Sequence, residues 1–255
     1  MSAATAVVQD MDATSPAVEN SGAALEHAFR ERVDVWLVAL EPGGGEAALP
    51  AFSDEVALDP RGTAAAFLLL SDSEREFAAR LRVGAEAWVA ARVALRSVLG
   101  RYLGLAPGRV SLESGANGKP RLAPGASADL RFNLSHSGDV ALIAVRLGRE
   151  VGVDLEKVRP GVDGAAILRD CFTAPERLGL SALADDEPGE TFFRAWVRRE
   201  ALAKATGRGI VSPPAADDAA RFTVRDLDGI SGYAAAIASE GADWSVRSPR
   251  SPVSA

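Results

Sequence analysis

Two neighbouring segments in the middle of the chain, Arg131–His136 and Val140–Leu147, constrain the fold more than any other feature. Both have the composition of buried strands. The three residues between them, Ser137-Gly138-Asp139, are typical of a hairpin turn. The sequence therefore predicts a small antiparallel sheet at this point.

The remaining patterns predict further short strands and several helices on either side of this hairpin. Predicted strands are Val33–Leu40, Arg109–Glu113, Val151–Val158, Arg221–Asp226, Gly232–Ala238 and Trp244–Arg247. Predicted helices begin near Ser73 and cover about Ala85–Leu103, Asp163–Cys171, Pro175–Leu183 and Glu190–Thr206, with a short one near Ala23–Arg32. This order predicts an α+β fold of two similar halves, each a small, mostly antiparallel sheet with packed helices. We expect a flexible leader over 1–32, halves at 33–149 and 150–247, and a disordered tail over 248–255.

The composition restricts the class of protein. The 255 residues are 47% hydrophobic and 25% charged, as in a globular chain. A net charge of −7 argues against a general nucleic-acid binder, and the longest apolar run, Ala64–Leu70, is too short to cross a bilayer. A single cysteine, Cys171, excludes an internal disulfide and fits a reducing compartment, so we expect a cytoplasmic protein.

The segment Gly152-Val153-Asp154-Leu155-Glu156 places two acids on one predicted strand. Residues two apart on a strand share a face and lie about 7 Å apart, so Asp154 and Glu156 project together. Two carboxylates on one face repel each other unless a cation lies between them, and Mg²⁺ takes oxygen ligands of this kind. The alternative is an edge strand with two solvated acids.

A second pattern lies on the predicted helix that ends near Thr206. Trp196, Glu200 and Lys204 recur every four residues and therefore share one helix face. Glu200 could complete a three-carboxylate metal site or act as a general base, and Lys204 could neutralise a phosphate. The alternative is an ordinary Glu–Lys pair on a helix surface.

Two further segments carry polar residues that suit an anionic ligand. Ser135 and His136 lie at the end of a predicted strand, where His136 could donate to a phosphate oxygen; the alternative is a histidine bonded to backbone. The turn Asn117-Gly118-Lys119-Pro120 presents one lysine, without the glycine–lysine spacing of a P-loop.

In their order along the chain, these motifs resemble those of the 4′-phosphopantetheinyl transferases, specifically the long pseudo-dimeric type that activates surfactin synthetase. The shared motifs are Gly-Lys-Pro at 118–120, Phe-Asn-Leu-Ser-His-Ser at 132–137, Gly-Val-Asp-Leu-Glu at 152–156, and a helix motif from Trp196 to Gly207 followed by Gly209. Order and separations both fit, and the resemblance spans roughly Val33 to Ala238. It implies a site at the interface of two similar halves of a monomer.

The resemblance implies a holo-[acyl-carrier-protein] synthase type of enzyme. Such an enzyme moves the 4′-phosphopantetheine arm of coenzyme A onto a serine of an apo acyl or peptidyl carrier protein, for polyketide, peptide or fatty-acid synthesis, and releases adenosine 3′,5′-bisphosphate. Asp154, Glu156 and Glu200 would hold Mg²⁺, with Mn²⁺ as an alternative ion. Glu200, or a metal-held water, would take the serine proton, and Lys204 would bind phosphates and could protonate the leaving group. Coenzyme A would be held by Lys119, Pro120, Ser135, His136, Asp154 and Lys204.

Two positions depart from the family pattern. Arg199 stands where lysine usually precedes the helix glutamate, which keeps the charge but removes a proton donor. Ala87 stands where an arginine usually helps to bind the nucleotide end, and Arg75, Arg80 or Arg82 are candidates to replace it. These departures leave open a non-catalytic relative that binds coenzyme A or a carrier protein. A different Mg²⁺-dependent phosphotransferase or hydrolase is a third hypothesis. Because carrier domains are acidic, we expect them to dock near the arginine-rich helices of the first half, close to Arg80 and Arg82.

Overall fold

The computed structural model describes residues 29–40, 63–115, 118–126, 128–159, 161, 172, 188–209, 215 and 217–248. Several sequence predictions lie outside these residues: most of the leader, the two helices expected between 163 and 183 with Cys171, and the tail beyond residue 248.

The described chain forms a mixed α+β fold with several small sheets, as predicted. The strands are β1 Arg32–Ala39, β2 Leu112–Ser114, β3 Pro120–Leu122, β4 Leu130–Ser137, β5 Val140–Leu147, β6 Val151–Lys157, β7 Phe222–Asp226, β8 Tyr233–Glu240 and β9 Ser245–Arg247. The helices are α1 Thr63–Leu68, α2 Asp72–Arg80, α3 Ala85–Leu103, α4 Pro188–Thr206 and α5 Asp218–Arg221, with a 3₁₀ turn at Pro107–Arg109.

The larger strands form two sheets. The first sheet has the order β4-β5-β1-β9 and the second has the order β6-β8-β7, while β2 and β3 form a separate pair. Every pairing is antiparallel except that of β9 with β1, which is parallel. In the second sheet Asp154 of β6 lies opposite Ala236 of β8, which sets the position of the acidic motif.

The two sheets pack face to face between two long helices, because alternation along each strand gives both faces apolar side chains. The outer face of the first sheet packs on α3, where the buried residues include Trp36, Ile143, Leu95 and Leu99. The facing surfaces of the sheets share a second core, which includes Val35, Leu142, Val153 and Ile237. The outer face of the second sheet packs on α4 through small side chains, among them Ala234, Ala236, Ala201 and Ala205.

Local sequence determines where the first-half helices begin and end. Ser71 caps α2, since its hydroxyl accepts from the Glu74 N–H and the Glu74 carboxylate accepts from the Ser71 N–H. Helix α3 covers the predicted residues and ends at Gly104, which adopts the left-handed conformation that favours glycine. The hairpin between β4 and β5 turns at Gly138, where φ is +58°.

Two sequence predictions about strands differ from the structure. The first is the strand expected at Arg109–Glu113. In the structure a 3₁₀ turn ends at Arg109 and a three-residue strand begins at Leu112. The turn forms because Pro107 starts it and the Pro107 carbonyl accepts a hydrogen bond from the Val110 N–H. The last strand was expected to close the sheet of the second half. Instead β9 runs parallel to β1 in the first sheet, where Arg247 lies 3.5 Å from the buried carboxylate of Asp34. The chain therefore returns to its first sheet at its end.

Among the described residues, none of the helices combines the length and the hydrophobicity needed to cross a membrane.

Candidate active site

Strand β6 presents its two acids on one face, as the alternation of the motif predicts. Leu155 points the other way into the core between the sheets and is fully buried. Asp154 is also buried, with only 3% of its surface exposed, whereas Glu156 is half-buried. The strand thus carries one carboxylate into the protein and holds a second at its margin.

Helix α4 crosses this face of β6 at very close range because residue 152 is glycine. A Cβ atom at Gly152 would lie 2.2 Å from the Ala201 carbonyl oxygen and 2.4 Å from the Ala205 nitrogen. Only a residue without a side chain fits at this crossing. The contact brings the helix face that carries Glu200 and Lys204 over the acids of β6.

The ammonium group of Lys204 lies against the acidic motif. Its Nζ is 2.6 Å from Asp154 Oδ1 and donates to Ser135 Oγ at 3.1 Å. Ser135 in turn donates to the same oxygen of Asp154 at 2.8 Å. The structure therefore brings Ser135, Asp154 and Lys204 into direct contact.

Strand β4 supplies two further polar contacts that the sequence interpretation did not assign to the site. Asn133 Oδ1 accepts from the Val153 N–H at 2.8 Å, and Ser137 donates to Glu156 Oε2 at 2.9 Å. With Ser135, these side chains occupy alternate positions on β4 and therefore share one face. The period-two spacing of Asn133, Ser135 and Ser137 could have identified this polar face.

The acids of the site outnumber the lysine that contacts them, so we call the cluster unbalanced, although the charges of Arg159 and Arg199 also act on Glu156 and Glu200. Glu200 lies close enough to Asp154 and Glu156 that their charges affect its ionisation. Desolvation is the main cause that raises the pKa of both Glu156 and Glu200, and repulsion from the neighbouring carboxylates adds to it, while Lys204 acts in the opposite sense. Asp154 Oδ2 is buried and has no hydrogen-bond partner. Three carboxylates thus share one lysine, and one of their oxygens is left unsatisfied.

His136 lies beside this cluster, on the face of β4 opposite to Ser135. Its side chain is exposed by surface area, yet partial desolvation and the nearby charge of Lys204 lower its pKa. The imidazole is therefore within electrostatic reach of the lysine that contacts Asp154.

Lys119 and Pro120 line a different feature, a cavity of about 680 Å³. Its walls come from β3 and β4 on one side and from the end of α4 with α5 on the other, including Arg131, Thr206, Arg208 and Arg221. Lys119 Nζ donates to Glu150 Oε2 and to the Val151 carbonyl, both at 3.1 Å. Desolvation lowers the pKa of this ammonium, although Glu150 opposes the change. The Gly-Lys-Pro turn therefore opens onto a polar cavity at the end of the helix that carries Lys204.

The candidate arginines lie elsewhere. Arg80 ends α2 and Arg82 follows it; both are exposed and neither lines the cavity. Arg75 is used locally, 2.5 Å from Asp72 and 3.1 Å from the Phe67 carbonyl. Arg199 is buried and its guanidinium stacks on Phe172 with 5.0 Å to the ring centre. Among the described residues, no hydrogen bond or ion pair joins Arg75, Arg80 or Arg82 to the acid cluster, whereas the charge of Arg199 acts on Glu200 and opposes the rise in its pKa.

Comparisons with known proteins relate these features to one family. The sequence profile of the 4′-phosphopantetheinyl transferase superfamily matches residues 150–251. The chain is 44% identical over 124 residues to the 4′-phosphopantetheinyl transferase HetI of Nostoc sp., which covers 48% of this chain and 52% of that protein. It is 38% identical over 93 residues to the 4′-phosphopantetheinyl transferase AcpT of Escherichia coli K12, a match that covers 36% of this chain and 47% of that protein. It is 33% identical over 145 residues to the 4′-phosphopantetheinyl transferase psf-1 of Bacillus pumilus, a match that covers 55% of this chain and 59% of that protein.

The chain thus spans about half the length of the curated relatives it matches. The matched profile begins next to β6 and includes the acidic motif, all of α4 and the strands of the second sheet. Residues 150–251, with Asp154, Glu156, Glu200 and Lys204, therefore match the profile of the 4′-phosphopantetheinyl transferase superfamily.

Proposed function

We propose that this protein transfers the 4′-phosphopantetheine arm of coenzyme A to a serine of an apo acyl or peptidyl carrier protein, in a magnesium-dependent reaction. The observation that carries the proposal is the unbalanced acid cluster with its lysine, which lies inside the segment that matches the family. The named activity of the relatives supports the same reaction.

The residues of the cluster fit a divalent cation in their chemistry. Asp154 offers a buried oxygen that accepts no hydrogen bond, and desolvation together with repulsion between the carboxylates raises the pKa values of Glu156 and Glu200 despite the positive charges nearby. Oxygen donors of this type are those that Mg²⁺ prefers.

The side chains would still have to rearrange around an ion. As they stand, the described residues contain no group of three His, Cys, Asp or Glu side chains arranged to hold a metal. Lys204 engages one oxygen of Asp154, and Ser137 engages one oxygen of Glu156. In the proposed site Asp154, Glu156 and Glu200 would hold Mg²⁺, or Mn²⁺ in its place, and the ion would neutralise charge on the pyrophosphate of coenzyme A.

Glu200 and Lys204 are assigned the proton transfers. Glu200 would accept the proton of the carrier serine, a role that its raised pKa favours because a base works best when its pKa approaches the working pH. The serine oxygen then forms a bond to the β-phosphorus as the bond from that phosphorus to the bridging oxygen breaks. Adenosine 3′,5′-bisphosphate leaves, and Lys204, bound to the phosphates, can supply a proton to it. Positioning and charge neutralisation carry most of the catalysis in such transfers.

The nucleotide end of coenzyme A is assigned to the surroundings of this cluster. Ser135 and His136 would contact phosphates, since both lie beside Lys204. Lys119 and Pro120 would contact the adenine side, and the 680 Å³ cavity that they line supports this because it is large enough for such a group. Arg80 and Arg82 remain candidates for the arginine that the family has at position 87.

The remaining elements of the proposal concern organisation and partners. The helix–sheet–sheet–helix order supports two similar halves in one monomer, with the site between β4 of one half and β6 of the other. The partners would be coenzyme A and apo carrier proteins of the cytoplasm, without nucleic acid or a membrane.

The test is a transfer assay with several apo carrier proteins, coenzyme A and Mg²⁺. We expect each accepted carrier to gain the mass of one phosphopantetheine arm, with equimolar release of adenosine 3′,5′-bisphosphate. Reactions without Mg²⁺, or without coenzyme A, are the controls. Binding of coenzyme A by calorimetry without any mass gain would support the non-catalytic alternative instead.

A further inference from the structure

Side chains of β4 connect the first sheet to the second at the acidic motif. Strands β4 and β6 belong to different sheets, yet Asn133, Ser135 and Ser137 bond to Val153, Asp154 and Glu156 in turn. We call these three β4 residues the polar ladder. It aligns the margin of one sheet with the carboxylates of the other.

The hydroxyl of Ser137 has a defined direction. Its oxygen accepts from the backbone N–H of Lys157 at 3.1 Å, so its proton is left to donate to Glu156 Oε2 at 2.9 Å. The Ser135 hydroxyl, in contrast, accepts a hydrogen bond from the Lys204 ammonium and donates one to Asp154. The proposed reaction already uses Lys204 and Asp154. Ser137 is the ladder residue whose only side-chain partner in the site is Glu156.

Glu156 needs such a restraint more than Asp154 does. Asp154 is buried and held by both Ser135 and Lys204, whereas Glu156 is half-buried and has a longer side chain. Repulsion from Asp154 also acts on Glu156 and favours rotamers that turn away from the cluster. Among the described contacts, the Ser137 hydroxyl supplies the side-chain hydrogen bond that holds this carboxylate, while Lys204 and Arg159 act on it through their charges.

We propose that Ser137 is a positioning residue for Glu156, an inference that rests on the proposed function. It holds one carboxylate oxygen, Oε2, against β4 and so would leave the other oxygen, Oε1, for a divalent cation shared with Asp154 and Glu200. Hydrogen bonds to metal-ligating groups typically change metal affinity by about 10- to 100-fold when they are removed.

The first measurement is the affinity for Mn²⁺. Electron paramagnetic resonance detects Mn²⁺ binding in the presence of coenzyme A and without carrier protein. We expect Ser137→Ala to weaken Mn²⁺ binding by about 10-fold. Ser137→Thr keeps the hydroxyl and should bind within about threefold of the wild type. Ser97→Ala is the matched control, since that serine donates to the Val93 carbonyl within α3 and touches no part of the site.

A second measurement separates positioning from general damage to the fold. In the transfer assay, Ser137→Ala should raise the Mg²⁺ concentration needed for half-maximal rate about 10-fold, with kcat at saturating Mg²⁺ nearly unchanged. In the Glu156→Gln background, adding Ser137→Ala should change Mn²⁺ affinity little, because the group it positions is already altered.

The outcomes separate the positioning role from the proposed function. If wild type binds Mn²⁺ and Ser137→Ala binds it equally well, the positioning role is overturned while the transferase proposal stands. If wild type binds no Mn²⁺ with coenzyme A present, the metal site fails and the positioning role fails with it. Weaker binding by Ser137→Ala with normal binding by Ser137→Thr supports the role, whether or not a carrier is modified.

Discussion

Two buried clusters of charged side chains differ in how many acids and how many cations contact one another. Between α2 and α3, one carboxylate, Glu74, meets two guanidinium groups: Arg92 at 2.9 Å and Arg96 at 2.6 Å. Between β4, β6 and α4, three carboxylates share the single ammonium of Lys204. One acid thus contacts two arginines in the first cluster. In the second cluster the acids repel one another, and Lys204 opposes this repulsion together with the charges of Arg159 and Arg199.

The ionisation of the acids follows this difference. Burial alone would raise the pKa of Glu74, but hydrogen bonds from Ser71 and Arg96 and the charges of both arginines lower it overall. Burial also raises the pKa of Glu156 and Glu200, and there the neighbouring carboxylates reinforce the change. Desolvation therefore has opposite outcomes in the two clusters, depending on what lies around the acid.

The comparison indicates what each cluster is for. The Glu74 cluster has satisfied hydrogen bonds, including those from Arg96 to the Val110 carbonyl, so it joins two helices to the turn that follows them. The Asp154 cluster keeps an unsatisfied oxygen and carboxylates that repel one another, which a structural cluster would avoid. Substitutions should accordingly affect stability in one cluster and activity in the other.

The largest effect is expected from Asp154→Ala. We expect transfer to fall by about 10³-fold, because this change removes the buried oxygen proposed for the cation and the main partner of Lys204. The fold should remain, since Lys204 retains its contact with Ser135. Carrier mass and circular dichroism measure the two effects. Near-normal transfer by this variant would refute the metal role of Asp154.

The reverse result is expected from Glu74→Gln. The amide can still accept from Ser71, but Arg92 and the buried Arg96 lose their counter-charge, which should cost about 3 kcal/mol of unfolding free energy. Urea unfolding measures this loss, and kcat/KM of the folded protein should stay at the wild-type value. Glu76→Gln, on the exposed side of the same helix, is the matched control. A Glu74→Gln protein of normal stability would contradict the structural role of this cluster.

Gly152→Ala should affect both properties, because it acts on the contact that builds the active cluster. The new methyl group would overlap the backbone of α4 and push the helix away from β6. We expect a loss of about 2 kcal/mol of unfolding free energy together with reduced transfer, since Glu200 and Lys204 move with the helix. Gly108→Ala is the control, as its added carbon would meet Leu69 at an ordinary 3.6 Å. If Gly152→Ala lowered stability alone, the helix position would not limit catalysis.

Much of this contrast could be predicted from the sequence for the active cluster. Period-two spacing placed Asp154 and Glu156 on one face, and period-four spacing placed Glu200 and Lys204 on one helix face. Those regularities are local. The meeting of β6 with α4 came from the family resemblance, and its physical cause, the missing side chain of Gly152, appears only when the helix is in place.

The other cluster and the sheet order could not be predicted in the same way. Glu74 and Arg96 are 22 residues apart, and each reads as an ordinary charged residue on its own helix. The parallel pairing of β9 with β1 joins the two ends of the described chain, and no local pattern encodes such a contact. The same limit applies to Ser137, whose partner Glu156 lies across a boundary between sheets.

Lowering the pH should distinguish the roles of the two clusters without any substitution. This is the smallest effect that we expect. Since Glu156 and Glu200 have raised pKa values, they take up protons above the ordinary value of 4.5. The acid limb of kcat/KM, which reports the free enzyme, should therefore lie above pH 4.5. Glu74 has a lowered pKa, so its contribution to stability is present above its unfolded value, near 4.5, and is lost only as pH falls through its lower folded value.

From neutral pH down to about 4.5, activity should therefore fall while the stability difference between wild type and Glu74→Gln stays constant. Rate measurements and urea unfolding on the same samples test this order of events. If the stability difference disappeared first, Glu74 would be the acid with the raised pKa. The distinction between an acid that two arginines hold to stabilise the fold and acids that repel one another and perform chemistry would then be wrong.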